Sequence, residues 1–270
     1  MMSNQTLPRL RRSLRAEQPL IHCITNHISI RICANAILAL GGRPIMAEHP
    51  AEVAEITASA GALCLNLGNI SDARMDAMLA AGVSAQQHKV PCVLDLVGVG
   101  CSALRLDFAH RLIREVHPVL LKGNASELRA VCGLAHHAKG IDANESDPIE
   151  NIRAAQTAAQ RFEASVLLSG AEDVVTDGAQ TALIRNGVPR MADVTGTGCM
   201  QGMLAGAFLA VASPMESAVS AAVLMGLSGE YAEDVFQRTQ SITQFGNGLI
   251  DGIYTLSDEV LTQQARVCWQ

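Results

Sequence analysis

Short apolar runs alternate with amphipathic segments along most of this chain. Five of the runs have the length of buried strands: residues 20–24, 62–67, 92–96, 119–122 and 165–169. Between two of them, Met75, Met78, Leu79 and Val83 recur at helical spacing. This alternation predicts βαβ units around a mostly parallel sheet that is covered by helices.

The later part of the chain adds short strands and further helices. Two strands, each followed by a turn signal, predict a β-meander: residues 173–176, Asp177-Gly178, residues 181–184 and Asn186-Gly187. A helix is predicted over residues 149–162, because Asp147-Pro148 is a typical start signal. The chain after residue 198 is predicted to be mostly helical.

The remaining segments give no sign of a domain boundary. Residues 7–15 are predicted to form a short basic amphipathic helix, and the polar residues 136–145 a surface loop. No internal repeat or low-complexity linker interrupts the pattern. We therefore expect one domain over residues 1–270.

Composition narrows the class of protein. Of the 270 residues, 49% are hydrophobic and 17% charged, so a large core or a subunit interface is expected. The net charge of −6 argues against a nucleic-acid binder, and no apolar run has the length of a membrane span. The eight cysteines form no C-x-x-C pair, which is typical of reduced thiols in a cytoplasmic protein.

A glycine-rich turn at residues 193–200 is the strongest chemical signal. Gly196 and Gly198 precede a run of small residues that is predicted to be a helix. Backbone N–H groups in such a turn, together with the positive end of the helix dipole, can bind a phosphate. Cys199 then stands where a helix stabilises a thiolate. A glycine turn that only caps the helix, beside a buried cysteine, is the alternative.

Polar residues follow the predicted strands where each strand ends. They are Asn26 after the first strand, Asn66 in the second, Asp95 and Lys122 in the third and fourth, and Ser169 at the end of the fifth. The carboxyl ends of parallel strands meet at one edge, where ligands bind. Buried charges there are costly unless they are paired or metal-bound, so the pattern favours a site over ordinary polar loops.

These groups are suited to phosphoryl transfer, which needs positioning and charge neutralisation. Asp95, Asn124 and Glu127 offer the hard oxygen atoms that Mg²⁺ prefers. Asn124 and Glu127 also have the spacing of a capping box, so a helix cap is an equal alternative. Lys122 can neutralise a terminal phosphate; a solvated lysine is the other interpretation.

Cys199 leaves two mechanisms open. Its thiolate could accept the proton of an alcohol during transfer. Alternatively, it packs beside the alcohol, and the proton passes to the transferred phosphoryl group. In both cases the N–H groups of residues 196–199 would hold the charge that develops.

Taken together, the chain resembles the hydroxyethylthiazole kinase family over nearly its whole length. The markers of this resemblance are residues 22–26, 34–35, 38–41, 44–47, 61–68, 95–98, 123–127 and 194–199. The cysteine at position 199, where most ribokinase-like sugar kinases have aspartate, is the sharpest of them. The resemblance implies a ribokinase-like three-layer α/β fold, with a mostly parallel central sheet flanked by helices.

The resemblance also implies an activity and roles for residues. The expected reaction moves the γ-phosphate of ATP, with Mg²⁺, to the primary alcohol of 4-methyl-5-(2-hydroxyethyl)thiazole in thiamine salvage, by a homotrimer. The implied substrate contacts are Met46, Gly196 and Asn26, the implied ATP contacts are Lys122, Ser169 and Thr195, the implied Mg²⁺ and phosphate residues are Asp95 and Glu127, and the implied catalytic residues are Cys199, Gly198 and Thr197.

Some positions depart from the family pattern. Leu96 stands where proline is usual, and Lys122 stands where arginine is commoner. Two alternatives therefore stay open: a kinase of another heterocyclic alcohol, of hydroxymethylpyrimidine or pyridoxal type, and a non-catalytic sensor of nucleotide or thiazole. A dinucleotide-dependent oxidoreductase is disfavoured, because no glycine-rich turn follows the first strand.

Overall fold

The computed structural model describes residues 5–134 and 147–270, which share one large sheet. The predicted loop at residues 136–145 lies outside this range. The strands of the sheet are β1 Leu20–Ile24, β2 Arg43–Ile45, β3 Ala62–Asn66, β4 Cys92–Asp95, β5 Leu120–Asn124, β6 Ser165–Ser169, β7 Asp173–Thr176, β8 Thr181–Ile184 and β9 Val267–Trp269. All seven predicted strands are therefore confirmed, with ends shifted by two residues at most.

The sheet order is β2-β1-β3-β4-β5-β6-β7-β8-β9. The six strands from β2 to β6 in this order are parallel, and β7, β8 and β9 continue the sheet antiparallel. β7 and β8 form the predicted meander, joined by a turn at Gly178 with φ of 89°. The carboxyl ends of the six parallel strands therefore lie along one edge.

Helices cover both faces of the sheet. They are α1 Thr6–Glu17, α2 Ile30–Leu40, α3 Val53–Ala58, α4 Asp72–His88, α5 Ala103–Val116, α6 Ala125–Val131, α7 Pro148–Phe162, α8 Thr197–Leu209, α9 Pro214–Thr239, α10 Ile242–Thr255 and α11 Asp258–Gln263. The predicted helices at residues 7–15 and 149–162, and the helical region after residue 198, are confirmed. Asp147 caps α7 by accepting the N–H of Ile149.

The core consists of two apolar layers, one on each face of the sheet. One layer joins α1, α2, α8, α9 and α10 to the sheet, and the other joins α4, α5, α6 and α7. The three-layer α/β arrangement implied by the resemblance is therefore confirmed. The single-domain prediction stays a prediction.

Helix α8 is the central element of the first layer. Each of its residues from 199 to 209 is buried, because the helix lies between the sheet and α9. A helix that is apolar on all sides is typical of this position. Its first turn points at the carboxyl edge of the parallel strands, where the candidate site lies.

Six cysteines are buried and two, Cys101 and Cys268, are exposed; all eight are free thiols. Within residues 5–134 and 147–270, no helix is long and apolar enough to cross a membrane.

Candidate active site

The register of the parallel strands places three polar side chains in one row. Asn66 on β3 is paired with Asp95 on β4, and Asp95 with Lys122 on β5. Residues in one row of a sheet project from the same face. The three side chains therefore lie together, as their positions at strand ends predicted.

Asp95 and Lys122 form a buried ion pair at the centre of this row. Lys122 Nζ lies 3.4 Å from Asp95 Oδ1, and the two residues are 4% and 1% exposed. Burial raises the pKa of Asp95 to about 6, although Lys122 and Asn66 favour its ionised form. Burial lowers the pKa of Lys122, but the charges of Asp95 and Glu127 outweigh it, so the net pKa is raised. Each charge of the pair therefore favours the ionised form of the other group.

Cys199 is held beside this pair by two asparagine amides. Asn26 Nδ2 and Asn66 Nδ2 each donate to Cys199 Sγ at 3.3 Å. Asn26 Nδ2 also donates to Asn66 Oδ1, and Asn66 Nδ2 donates to Asp95 Oδ2 at 2.9 Å. A continuous hydrogen-bond network therefore joins the thiol to the ion pair and fixes their separation.

The first turn of α8 is built on a glycine that no other residue could replace easily. Gly196 has φ of 93°, and a Cβ there would lie 2.6 Å from the Ile32 side chain. The first helical hydrogen bond runs from Met200 N–H to the Gly196 carbonyl, so the amides of Thr197, Gly198 and Cys199 precede it. Amides at this position of a helix can face an anion.

Three further glycines let α8 approach the polar row and the sheet closely. A Cβ on Gly198 would lie 3.1 Å from Lys122 Nζ, and one on Gly202 would lie 3.0 Å from Asp95 Oδ2. One turn later, a Cβ on Gly206 would lie 2.1 Å from Cys64 Sγ. The spacing of four residues puts all three on one helix face. The helix start can thus lie directly against the ion pair.

Glu127 has the structure of a helix cap. Its Oε2 accepts the N–H of Asn124 at 2.8 Å, and Asn124 Oδ1 accepts the N–H of Glu127 at 2.9 Å. The capping box is therefore present. Glu127 Oε1 also accepts the N–H of Gly98 at 2.9 Å, so this side chain connects the loop after β4 to α6.

The donor set is compatible with Mg²⁺ bound largely through water. No group of three His, Cys, Asp or Glu residues that could enclose a metal occurs in the described parts of the chain. However, Asp95 Oδ1 is buried and accepts no hydrogen bond from the described residues. Each oxygen of an ionised carboxylate can accept more than one bond. Asp95 and Glu127 thus retain capacity for the water molecules that Mg²⁺ keeps.

Leu96 is held by a backbone bond that proline could not make. Its N–H donates to the carbonyl of Lys122 at 2.8 Å, extending the pairing of β4 with β5. The next residues turn through Gly98, which has φ of 69°. The loop after Asp95 is therefore fixed by hydrogen bonds, although it lacks the ring of proline.

The segment after β2 carries Met46, which is half-buried and packs against the first core layer. It is fastened to β1 by His22, whose Nε2 donates to the Ala47 carbonyl at 3.0 Å. His22 Nδ1 lies 2.7 Å from the hydroxyl of Thr57. Burial lowers the pKa of His22, so its ring is neutral at pH 7 and acts as a fixed spacer.

A buried arginine joins the segments that carry Asn26 and Met46. Arg74, at the start of α4, donates to the carbonyl of Thr25. Its Nε lies 3.4 Å from Glu48 Oε2. The arginine therefore connects the residue before Asn26 to the second residue after Met46.

Of the predicted nucleotide contacts, Lys122 belongs to the row, whereas Ser169 and Thr195 lie outside it. Ser169 ends β6, half-buried, in register with Asn124 of β5. Thr195 is exposed, one residue before the glycine turn. The Thr197 hydroxyl donates to the carbonyls of Met191 and Val194 at 3.1 and 3.4 Å.

Four residues at the site were not among the predicted site residues: Asn66, Arg74, Asp173 and Gln201. Asn66 had a usable signal, since it is a polar residue near the end of the predicted strand at residues 62–67. Gln201 had a weaker one, as a single polar residue in a run of small apolar ones. The sequence does not show which partners Arg74 and Asp173 meet.

The three-layer α/β fold and the charged residues at this edge of the sheet are compatible with a small-molecule kinase of the ribokinase-like class. Comparison with known proteins gives the family: the chain matches the hydroxyethylthiazole kinase family over residues 11–259. A curated relative, hydroxyethylthiazole kinase 2 of Clostridium botulinum (strain 657 / Type Ba4), is 42% identical over 96% of this chain and 98% of its own length. The chain belongs to the hydroxyethylthiazole kinase family and is an enzyme.

Solved structures agree with this assignment. A hydroxyethylthiazole kinase protein of Pyrococcus horikoshii OT3 superposes with a TM-score of 0.88 at 31% identity, over 98% of both chains. A pyridoxal kinase of Staphylococcus aureus in complex with ADP gives a TM-score of 0.62 at 16% identity, over 78% of this chain and 88% of that one. The second match shows a shared fold only.

Proposed function

We propose that this enzyme transfers the γ-phosphoryl group of ATP to the primary alcohol of 4-methyl-5-(2-hydroxyethyl)thiazole in thiamine salvage. The observation that supports this most is the meeting of Cys199 and the Asp95–Lys122 pair at the first turn of α8. The Lys122 ammonium, the Asp95 carboxylate, the first amides of α8 and the Cys199 thiol could then all act on the same transferred phosphoryl group.

The phosphate end would work by charge neutralisation. Lys122 lies near enough to α8 that a Cβ on Gly198 would be 3.1 Å from its ammonium. Negative charge that develops on the phosphoryl oxygens would therefore meet both the ammonium and the helix amides. Each preorganised amide of this kind is worth about 3 kcal/mol of transition-state stabilisation. Ser169 and Thr195 would contact the rest of the nucleotide.

Asp95 and Glu127 would hold Mg²⁺ through its water molecules. When bound, the ion supplies positive charge to the phosphate oxygens. Asp95 would contribute Oδ1, which also faces the Lys122 ammonium at 3.4 Å, and Glu127 would keep its cap while accepting from a metal-bound water. The cap and the metal role are therefore compatible in one side chain.

The acceptor end would place the thiazole between Met46, Gly196 and Asn26. A polarisable thioether such as that of Met46 suits a flat sulfur heterocycle. The alcohol would then lie next to Cys199. Cys199 either accepts the alcohol proton as a thiolate, or only packs beside the alcohol, in which case the proton passes to an oxygen of the transferred phosphoryl group.

Two further properties are proposed from the family resemblance. We place the enzyme in the cytoplasm as a homotrimer with sites at subunit interfaces. Exposed apolar side chains such as Ile28, 73% exposed and two residues from Asn26, support an interface near the acceptor end. Sedimentation of the full chain with and without the thiazole would test the assembly.

Incubation with Mg²⁺-ATP and a panel of alcohols tests the reaction itself. We expect ADP release with the hydroxyethylthiazole, and phosphorus NMR should show a new phosphate monoester. Hydroxymethylpyrimidine and pyridoxal serve as competing acceptors. Phosphorylation of either of these without the thiazole would reject the assignment, as would ligand-induced thermal stabilisation without turnover.

Substitutions of Cys199 separate its two roles. If the thiol is the base, Cys199→Ser should lower kcat strongly with little change in ATP affinity, and Cys199→Asp should retain activity. Full activity in Cys199→Ala would leave only the packing role. Cys268→Ala, which changes an exposed thiol on β9, is the matched control.

A further inference from the structure

Asp173 is a buried carboxylate that the proposed chemistry does not use. It begins β7 and is 8% exposed. Its Oδ1 accepts the N–H of Gly170 at 2.9 Å, and its Oδ2 accepts Gln201 Nε2 at 2.6 Å. A hydrogen bond from an amide to an ionised carboxylate is charge-assisted and therefore stronger than one between neutral groups.

The two partners of Asp173 lie on either side of the proposed phosphate site, where the end of β6 meets the first turn of α8. Gly170 directly follows Ser169, a proposed nucleotide contact at the end of β6. Gln201 lies in α8, two residues after Cys199. One carboxylate thus connects the turn on which the nucleotide would rest to the helix whose first amides would receive the transferred group.

The burial of Asp173 and Gln201 indicates that keeping this hydrogen-bonded pair lowers the stability of the fold. Burial raises the pKa of Asp173 to about 6, against the opposing effects of Gly170, Gln201 and the Lys122 ammonium on β5. Gln201 is itself buried, among the apolar residues of α8. Buried polar groups of this kind are unfavourable unless they are bonded to each other. An apolar pair would pack the same space without that cost.

We infer that Asp173 is a positioning residue that locks the turn at Ser169 and Gly170 to α8. The lock fixes the distance between the Ser169 turn and the first turn of α8. A nucleotide bound at Ser169 would then have its outermost phosphate next to the amides of Thr197 and Gly198. The inference rests on the proposed function of this corner. It assigns Asp173 and Gln201 to nucleotide alignment and not to the acceptor.

Three variants of the full chain test the lock. Asp173→Ala removes both bonds. Gln201→Met removes one bond and keeps the length of the side chain. Asp173→Asn keeps both, because its amide oxygen accepts from Gly170 and its NH₂ group donates to Gln201 once that amide rotates by half a turn.

The measured quantities are KM for ATP, KM for the alcohol, kcat, and the Kd for ADP by calorimetry. We expect Asp173→Ala and Gln201→Met to raise KM for ATP and Kd for ADP by about tenfold, since a hydrogen bond to a charged group is of that size. KM for the alcohol should change less than threefold. Asp173→Asn should restore nucleotide affinity to within about threefold of the parent.

The outcomes separate the lock from the proposed function. If the parent enzyme turns over no alcohol, the proposed function fails, while the ADP affinities still report on the lock. If the parent is active and Asp173→Ala leaves both nucleotide constants unchanged, the lock is refuted. A parallel rise in KM for the alcohol, or no recovery in Asp173→Asn, also refutes it, because either result indicates general loosening of the fold.

Discussion

Replacing Asp173 by asparagine should stabilise the protein at neutral pH. The pKa of Asp173 is raised from 3.8 to about 6 in the folded protein, chiefly by burial. A carboxyl group with a raised folded-state pKa stabilises the fold when protonated, and this contribution is lost as pH rises through the folded pKa. At about 1.36 kcal/mol for each unit, the shift of roughly two units corresponds to about 3 kcal/mol.

The expected result is a difference that depends on pH. Below about pH 4 the parent carries a neutral carboxylic acid, and Asp173→Asn should have nearly the same free energy of unfolding. Between pH 4 and pH 7.5 the free energy of unfolding of the parent should fall by about 3 kcal/mol relative to that of the variant, because asparagine does not ionise. Other titrating groups are common to both proteins and cancel in the difference.

Urea unfolding at a series of pH values, followed by circular dichroism, measures this difference directly. Asp107→Asn, an exposed carboxylate on α5, is the matched control and should give a difference that is flat with pH. A flat profile for Asp173→Asn, or one that falls with pH, would show that the buried carboxylate is not destabilising. A confirmed profile would show that the ionised Asp173 side chain lowers the free energy of unfolding at neutral pH.

Three further outcomes are expected. Gly206→Ala should destabilise the fold by about 1–3 kcal/mol in urea unfolding, because its methyl group overlaps Cys64 Sγ; adding Cys64→Ala should recover part of this, and no recovery would locate the strain elsewhere. Glu127→Gln should raise the Mg²⁺ concentration for half-maximal activity, whereas an unchanged titration indicates a cap alone. Arg74→Met should raise KM for the alcohol more than KM for ATP, with Glu48→Gln intermediate; an equal rise in both constants contradicts a local role in the acceptor segments.

The sheet could be predicted from the sequence wherever strands are buried on both faces. β4 and β6 are such strands, since nearly every position is apolar and polar residues mark the end. The two strands that sequence reasoning missed, β2 and β9, are three residues long and half-exposed at the sheet margins. A run of three residues is too short to show a period, and Pro44 within β2 argues against a strand.

The site was predictable to the extent that it depends on strand ends. Asp95, Lys122 and Asn26 were identified in this way, because parallel strands bring their carboxyl ends to one edge. Arg74 and Asp173 were not, since each is defined by partners distant in sequence: Thr25 lies 49 positions from Arg74, and Gln201 lies 28 positions from Asp173. Such pairings depend on how helices are placed over the sheet, which local pattern does not specify.

The glycine face of α8 has a consequence for how enzymes of this shape diversify. Gly198, Gly202 and Gly206 have no side chain, so the backbone of α8 lies directly against the sheet on the side proposed to bind the nucleotide. A larger residue at any of these positions would meet a sheet side chain, so this side of the site allows little variation. The side proposed to bind the acceptor alcohol instead includes two loop segments that are held in place by the side chains of His22 and Arg74. Substitutions in those two segments can therefore change which acceptor alcohol fits, without altering the residues proposed to bind the nucleotide.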